Sequence, residues 1–231
     1  EDGSFNELTD PPTHYNGNIG IEMRGSTSQA ISPKKPYSIE TRDLLGNAID
    51  SAILGMPKEN DWALIAPYSD KSLIRDALTY HLAASFMPYA PRVRFCDVIL
   101  NGQYQGVYAI TEKIKRDKNR LDISKLDSLN LVGDALTGGY ILKIDKTTGA
   151  QPTTLGFLSQ YTSGTQGARN YYLFHYPDPE DIKPAQVNYI KGVIDDFENT
   201  MQSSTYRDPV NGYAKHIDVA SFVDFLLINE L

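Results

Sequence analysis

Apolar and polar residues alternate on both sides of a polar loop near the start of the chain. The alternation covers residues 19–24 and returns at Tyr37, Ile39 and Thr41, so it predicts two strands that pair as a hairpin. The loop between them contains one glycine, several hydroxyl side chains and cations. Its potential hydrogen-bond donors include Arg24, Ser26, Thr27, Ser28, Ser32, Lys34 and Lys35.

This loop has the composition of an anion-binding turn. Backbone N–H groups freed at a glycine, hydroxyl groups and an arginine fork can together bind phosphate oxygens. The alternative is a solvated hairpin with a basic edge, because the loop has neither Walker-type nor dinucleotide-type glycine spacing. Composition alone leaves both interpretations open.

One helix is predicted in the first half of the chain. It should begin at Asp70, which is placed to cap it, and end before Pro88. One face of this helix is apolar, and His81 on that face is interpreted as a core histidine. The predicted buried face comprises Leu73, Ile74, Ala77, Leu78, His81, Leu82 and Ser85.

Strand-like runs flank this helix. Residues 62–66 form a short apolar run that ends at Pro67. Residues 93–100 and 104–111 are rich in β-forming side chains and are separated by Asn101-Gly102. Because Asn-Gly is a strong two-residue hairpin signal, these two runs are expected to pair antiparallel.

The second half predicts two strands and then helices. Strands are expected at 138–145 and 171–176, with a loop near 162–170. One helix should begin at Pro184 and another near Asp218; the latter reaches the end of the chain without a C-terminal cap, which favours a longer native protein. The predicted core-facing stripe of the first of these helices is Val187, Ile190, Val193, Ile194, Phe197 and Met201.

Composition narrows the possible functions. The 231 residues are 41% hydrophobic, enough to bury a core, and the net charge of −7 argues against nucleic acid or anionic membrane as the main partner. The single cysteine, Cys96, excludes an intrachain disulfide and a two-cysteine metal site, and is expected to be a buried, inert thiol. No apolar stretch approaches the length of a membrane span. Fifteen tyrosines against one tryptophan suggest an exported bacterial protein.

Several ordered motifs resemble the CotH family, the spore-coat protein H-like atypical kinases. They are RGSTS at 24–28, PKKPY at 33–37, LGMP at 54–57, DWALIAPY at 61–68, DKSLIR at 70–75, LNGQYQGVY at 100–108 with Thr111-Glu112, and DVASFVDF at 218–225. The resemblance covers nearly the whole chain, and its spacing makes it specific.

The resemblance implies an α+β, protein-kinase-like fold. An antiparallel small lobe with one helix would span residues 1–112, and the hinge and the start of a mainly helical large lobe would span 113–231. Such a protein would bind ATP with Mg or Mn and transfer the γ-phosphoryl group to Ser or Thr of an exported or surface protein. Phosphoryl transfer mainly requires phosphate clamps, carboxylate-bound metal and a base near the acceptor hydroxyl.

The resemblance also suggests nucleotide-binding residues. The loop that contains Arg24, Ser26 and Ser28 would cover the phosphates, Lys35 would be the phosphate lysine, and Glu112 would line the site of the nucleotide base. Strand alternation is expected to place Lys35 inward, on the face of Tyr37 and Ile39. The same alternation would turn its rival, Lys34, to solvent.

Two departures from the kinase pattern limit these assignments. The helix from Asp70 offers no Glu to pair with Lys35, so the partner of this lysine is unidentified. The acidic motifs that would hold metal and base are expected downstream of residues 229–231, so the catalytic residues are unassigned and this fragment is expected to be inactive. The remaining acidic clusters are interpreted as solvated faces, with a metal site as the alternative: Asp178, Glu180 and Asp181, and Asp195, Asp196 and Glu198.

Two other functions remain open at this stage. A surface adhesion or scaffold module with a kinase-like fold would keep the architecture without the chemistry. A carbohydrate-binding β-domain would use exposed aromatic side chains such as Tyr161, Tyr171 and Tyr172, although residues of this kind more often pack between strands. The sequence does not identify the acceptor protein or the oligomeric state.

Overall fold

The computed structural model describes residues 7, 9–145, 155–163 and 167–230. The chain forms two compact units, Glu1–Lys113 and Ile114–Leu231. Both contain antiparallel strands and helices, so the predicted α+β class is confirmed at that level. The assignment of the two units to the lobes of a kinase stays a prediction.

Unit 1 is built on a five-stranded antiparallel sheet with the order β1-β2-β3-β5-β4. The predicted hairpins are confirmed: β1 pairs with β2, and β4 pairs with β5. Asn101 and Gly102 turn between β4 and β5 with φ of 51° and 76°, the positive values that a tight hairpin requires. The elements are β1 (Asn18–Met23), α1 (Thr27–Ile31), β2 (Tyr37–Arg42), β3 (Asp61–Ile65), α2 (Arg75–Ala83), β4 (Val93–Leu100) and β5 (Gln103–Glu112).

The core of unit 1 lies on one face of this sheet. Trp62 of β3 and Tyr108 of β5 are almost fully buried, and Met56 from the β2–β3 connection packs with them. The strand register places Leu64 of β3 beside Ile110 of β5, and both belong to the same cluster. The indole N–H of Trp62 donates to the Glu59 carbonyl at 3.2 Å, so the buried ring leaves no polar atom unsatisfied.

Helix α2 differs from its prediction in both its start and its buried face. It begins at Arg75, not Asp70, because Leu73 has a φ of 63°, which no right-handed helix contains. Asp70 instead stabilises the preceding turn, where its carboxylate accepts hydrogen bonds from the backbone of Ser72 and Arg75.

The predicted apolar face of α2 is largely exposed. Leu78 and His81 both lie at the surface, so the interpretation of His81 as a core histidine is wrong. The buried side carries Ala83 and the half-buried Ala77 and Tyr80, and α2 contacts β4. Alanine side chains are small and let a helix pack closely on a sheet. Helix α2 accordingly buries its alanine face and exposes the face with the larger apolar side chains.

Unit 2 contains a three-stranded antiparallel sheet with the order β6-β8-β7. The strand predicted at 138–145 is shorter, because Gly139 has a φ of 82° that breaks the extended conformation. Strands β7 and β8 extend into the predicted loop at 162–170, of which residues 164–166 lie outside the described residues. The elements are α3 (Asp134–Thr137), β6 (Ile141–Ile144), β7 (Gly156–Ser163), β8 (Ala168–Tyr176), α4 (Pro184–Gln202), a 3₁₀ turn (Tyr213–Lys215) and α5 (Val219–Asn229).

The two long helices of unit 2 begin where the sequence predicts. Pro184 is the first residue of α4, a position that needs no backbone donor. Asp218 caps α5 by accepting a hydrogen bond from the Ser221 backbone at 3.1 Å. Helix α4 contacts β7, with Ile194 and Phe197 half-buried. None of the helices within the described ranges is long and apolar enough to cross a bilayer.

A matched pair of leucine substitutions tests the position of the core. Leu64 is 6% exposed within the cluster, whereas Leu44 is 92% exposed. We expect Leu64→Ala to lower the free energy of unfolding by about 2–5 kcal/mol, because it leaves a cavity. Leu44→Ala should change it by less than about 0.5 kcal/mol. Urea denaturation followed by tryptophan fluorescence measures both; equal effects would contradict the assigned core.

Candidate functional site

The loop between β1 and β2 is closed at its base and contains a short helix. The Arg24 backbone N–H donates to the Pro36 carbonyl at 3.0 Å, one step beyond the last paired residues of the two strands. Between these ends, α1 makes a helical turn in which the Ser32 N–H donates to the Ser28 carbonyl at 3.1 Å. The sequence predicted a polar loop here but not this turn.

Three of the predicted phosphate-contacting side chains lie on the surface of this loop. Arg24, Ser26 and Ser28 are all exposed. Gly25 has a φ of 88°, and a Cβ at this position would lie only 2.2 Å from the Ser28 hydroxyl oxygen. Glycine is therefore required both for the backbone conformation and for the close approach of Ser28. The structure thus places the Ser28 hydroxyl close to the backbone of the Gly25 turn.

The two lysines of the loop make different contacts. The Lys35 ammonium donates to the Gln29 carbonyl at 2.6 Å, so it is held inside the loop. The Lys34 ammonium donates to the Val107 carbonyl and lies 4.4 Å from the centroid of the Tyr108 ring. Burial lowers the pKa of Lys34 from its ordinary value, since desolvation opposes the charged form.

The prediction that Lys34 turns to solvent is therefore wrong. Both lysines precede the first residue of β2, and the sequence around them carries Pro33 and Pro36. The two-residue alternation of a strand does not extend into this segment, because its backbone is not part of the ladder. Lys34 and Lys35 are consequently both half-buried.

Glu112, the predicted base-contacting residue, is buried at the end of β5. Its carboxylate accepts from the Arg92 guanidinium at 3.0 Å and from the Arg92 backbone N–H at 2.9 Å. Only 3% of Glu112 is exposed, so this ion pair compensates a buried charge. Both carboxylate oxygens of Glu112 therefore already accept hydrogen bonds from a residue of unit 1. A contact between Glu112 and a nucleotide base stays a prediction.

A polar groove lies on the other face of the same sheet, away from Trp62. The strand register aligns Gly20 of β1, Glu40 of β2 and Asp61 of β3. Alternate residues of these three neighbouring strands therefore lie on this face. Two ion pairs cross it: Arg42 with Glu40 at 2.7 Å, and Lys113 with Asp61 at 2.5 Å. The groove encloses about 490 Å³ and is lined by Gly20, Ile21, Glu22, Ser38, Ile39, Glu40, Arg42, Asp61 and Lys113.

Sequence reasoning missed this groove. Its charged residues are spread over more than 90 positions, and only strand pairing brings them together. The available signal was the alternation itself, since Glu22, Glu40 and Asp61 occupy positions opposite the apolar face of their strands.

The acidic cluster on α4, which comprises Asp195, Asp196 and Glu198, makes contacts within unit 2. Asp195 pairs with Lys191, and Asp196 lies 3.9 Å from Lys215. Glu198 accepts from the Gln160 backbone at 2.8 Å. Over the described part of the chain, no group of three or more His, Cys, Asp or Glu side chains is arranged to hold a metal ion.

The aromatic residues considered for carbohydrate binding pack within unit 2. Tyr172 stacks on Phe157 with ring centroids 5.5 Å apart, and Tyr161 donates to the Asn199 side chain at 2.7 Å. Burial raises the pKa of Tyr171 above its ordinary value. All three tyrosines are half-buried, so they form no exposed aromatic platform.

Antiparallel sheets with a small number of helices define the chain as an α+β protein whose architecture is compatible with a kinase-like fold. A family model described as "CotH kinase protein" matches residues 21–231. The chain therefore belongs to the CotH family, as its motifs indicated. None of the curated proteins matches it.

The ion pair at the end of β5 can be tested with two arginine substitutions. Arg92→Ala should lower the free energy of unfolding by about 3 kcal/mol, because it leaves the Glu112 charge buried without this partner. Arg94→Ala, on the exposed neighbouring position of β4, should change it by less than about 0.5 kcal/mol. Chemical denaturation supplies both values.

A second change completes this test. Adding Glu112→Gln to Arg92→Ala should recover part of the loss, since a neutral amide costs less to bury than a carboxylate. No recovery would indicate that the Arg92 side chain stabilises unit 1 through packing alone.

Cys96 should behave as an inert thiol. Burial raises its pKa to about 11, from an ordinary value of 9.0. At pH 8 the folded protein should contain about 100-fold less thiolate at Cys96 than the unfolded chain, and iodoacetamide should react correspondingly more slowly. Because the pKa of Cys96 is higher in the folded than in the unfolded chain, the neutral thiol favours the folded state. This stabilisation is complete below pH 9 and is lost as pH rises towards 11. Mass spectrometry with and without urea measures the two rates; equal rates would contradict the protection expected from the partly buried position of Cys96.

Proposed function

We propose that this protein is a CotH-like protein kinase that transfers the ATP γ-phosphoryl group to Ser or Thr of an exported or surface protein of a bacterium. The observation that carries the proposal is the match of the CotH kinase model to residues 21–231. The α+β sheet with one helix between β3 and β4 supports it, because this arrangement is compatible with a kinase small lobe.

The loop between β1 and β2 supplies the phosphate-binding part of the proposal. Within the described residues, the side chains of Arg24, Ser26 and Ser28 form no hydrogen bond to the protein, so a phosphate would meet donors that are already available. The fit is reinforced by Gly25, whose position leaves no room for a Cβ beside Ser28. An arginine fork and two hydroxyls match the oxygen geometry of a phosphate group.

Lys35 is the proposed phosphate lysine of this loop. Its ammonium group has three donors, and the Gln29 carbonyl accepts from one of them. The remaining donors can contact a phosphate without loss of that bond. Lys34 is the less suitable candidate, because contact with a ligand would compete with its bonds to Val107 and to the Tyr108 ring.

Metal binding and the base are assigned to no residue of this chain. A divalent cation bound with ATP would neutralise the charge that develops on the phosphoryl oxygens. The proposed role of the described residues is to bind and orient the triphosphate.

Nucleotide binding can be measured by thermal shift with ATP and Mg²⁺ or Mn²⁺. A ligand at 100 times its dissociation constant stabilises the folded state by about 2.7 kcal/mol. Lys35→Ala should weaken ATP binding about tenfold, the effect of one lost charge-assisted hydrogen bond. Lys118→Ala is the matched control, because Lys118 is exposed and lies outside the loop.

The outcomes separate the kinase from the alternative. Unchanged affinity of Lys35→Ala would remove the phosphate assignment. No stabilisation by ATP at any metal concentration would instead favour a surface adhesion or scaffold module. Phosphoryl transfer itself is tested by incubating the protein with radiolabelled ATP and a candidate acceptor protein, and a labelled Ser or Thr is the expected product.

A further inference from the structure

A cavity of about 460 Å³ in unit 2 has a lining dominated by charged residues. It lies where the segment after Arg116, the end of β8 and the start of α4 meet. Its polar side chains come from residues that are far apart in sequence, so the fold assembles the cavity. They are Arg116, Lys125, Asp127, Ser128, Tyr176, Asp178, Asp181, Lys183 and Gln186.

Two neutral side chains of this cavity, those of Gln186 and Tyr176, already have hydrogen-bond partners. The Gln186 amide is almost fully buried and donates to the carbonyls of Asp127 at 2.8 Å and Asn130 at 3.2 Å. The Tyr176 hydroxyl accepts from the Leu126 backbone N–H at 2.9 Å. These bonds fix the walls and leave the charged groups to determine what the cavity binds.

Three cations line the cavity without a carboxylate partner. In the described parts of the chain, Arg116, Lys125 and Lys183 take part in no ion pair. The Arg116 guanidinium lies 5.5 Å from the Tyr176 ring centroid, and its Nε atom is buried without a hydrogen-bond partner. A buried donor without an acceptor is costly, so the Arg116 guanidinium is incompletely satisfied by the protein.

A second cavity shares two residues with the first and is acidic. It encloses about 360 Å³ and is lined by Asp178, Asp181, Glu180, Pro179 and Leu155. None of these carboxylates forms an ion pair with the described residues. Asp178 and Asp181 border both cavities, and Asp127 also lines the first, so the three cations of the first cavity lie in a lining that contains carboxylates as well.

We propose that these two cavities together bind a phosphomonoester that carries a neighbouring cationic group, as a phosphorylated Ser or Thr followed by Lys or Arg does in a peptide. The phosphomonoester has nearly two negative charges and three acceptor oxygens, which suits one guanidinium and two ammonium groups. The cationic neighbour would lie against Asp178, Glu180 and Asp181. A simple anion would leave these carboxylates without compensation beside it.

This inference does not depend on phosphoryl transfer by the protein. The cavities belong to unit 2, whereas the proposed nucleotide-binding loop belongs to unit 1. A variant that loses one binding activity can therefore be tested for the other.

Fluorescence anisotropy with short labelled peptides tests the proposal. The peptide phosphoserine-lysine is the probe, with serine-lysine and phosphoserine-glutamate as its controls, and inorganic phosphate and free phosphoserine as competitors. The phosphoserine-lysine peptide should bind at least about tenfold more tightly than either control peptide. Stronger competition by free phosphoserine than by inorganic phosphate would show that the cationic group contributes; competition by phosphate alone would reduce the site to a simple anion site and overturn the proposal.

Lysine substitutions locate the site. Lys125→Ala and Lys183→Ala should each weaken binding of the phosphoserine-lysine peptide about tenfold, whereas Lys118→Ala, outside both cavities, should not change it. Asp181→Asn should reduce the preference for lysine over glutamate beside the phosphoserine. Melting temperatures check that each variant folds, and the ATP thermal shift should be unchanged in all of them. Equal affinities of the cavity variants and the Lys118→Ala control would overturn the proposal.

Discussion

Tyr108 is the residue that joins the core of unit 1 to the loop between β1 and β2. Its ring is almost fully buried beside Trp62, and its hydroxyl donates to the Lys35 carbonyl at 3.0 Å. The same ring receives the ammonium group of Lys34 on its face. One buried side chain thus fixes the backbone at one lysine and the side chain of the other. Because the ring is in the core, its hydrogen bond fastens the end of the loop to the sheet.

This anchoring divides the loop into a fixed part and an exposed part. The fixed part contains both lysines, which are half-buried and bonded to backbone carbonyls. The exposed part contains Arg24, Ser26 and Ser28, which lie in and around the positive-φ turn at Gly25. If this loop binds a ligand as proposed, it would lose little conformational entropy at its lysines and keep adjustable donors at its tip.

Much of the fold could be predicted because local signals and long-range packing agree. The Asn101-Gly102 turn, the proline at the start of α4 and the Asp218 cap all act through the backbone of adjacent residues, so a single sequence displays them. The alternation around β1 and β2 likewise predicts its own partner strand.

The failures have a common physical origin in packing between distant residues. The sequence of α2 offers two possible buried faces, and only the neighbouring sheet selects the face with Ala83 over that with Leu78. Lys34 was expected at the surface because a strand pattern was extended past Pro36, where the ladder does not continue. The site residues show the same limit. The sequence indicates their polar loop, but it does not reveal that the Gln29 carbonyl accepts from Lys35 or that Arg92 pairs with Glu112.

The net charge of −7 does not by itself exclude anion binding, but it affects which anions can bind. At physiological ionic strength, charges more than about 8 Å apart in solvent are largely screened from one another. A small phosphate group therefore experiences mainly the cations beside it, such as Arg24 in the loop or Lys125 in the unit 2 cavity. A long polyanion such as nucleic acid would also meet the acidic surface between such cationic positions, where binding costs energy. Any anion site formed by local cations on this acidic protein would therefore favour compact anions over extended ones.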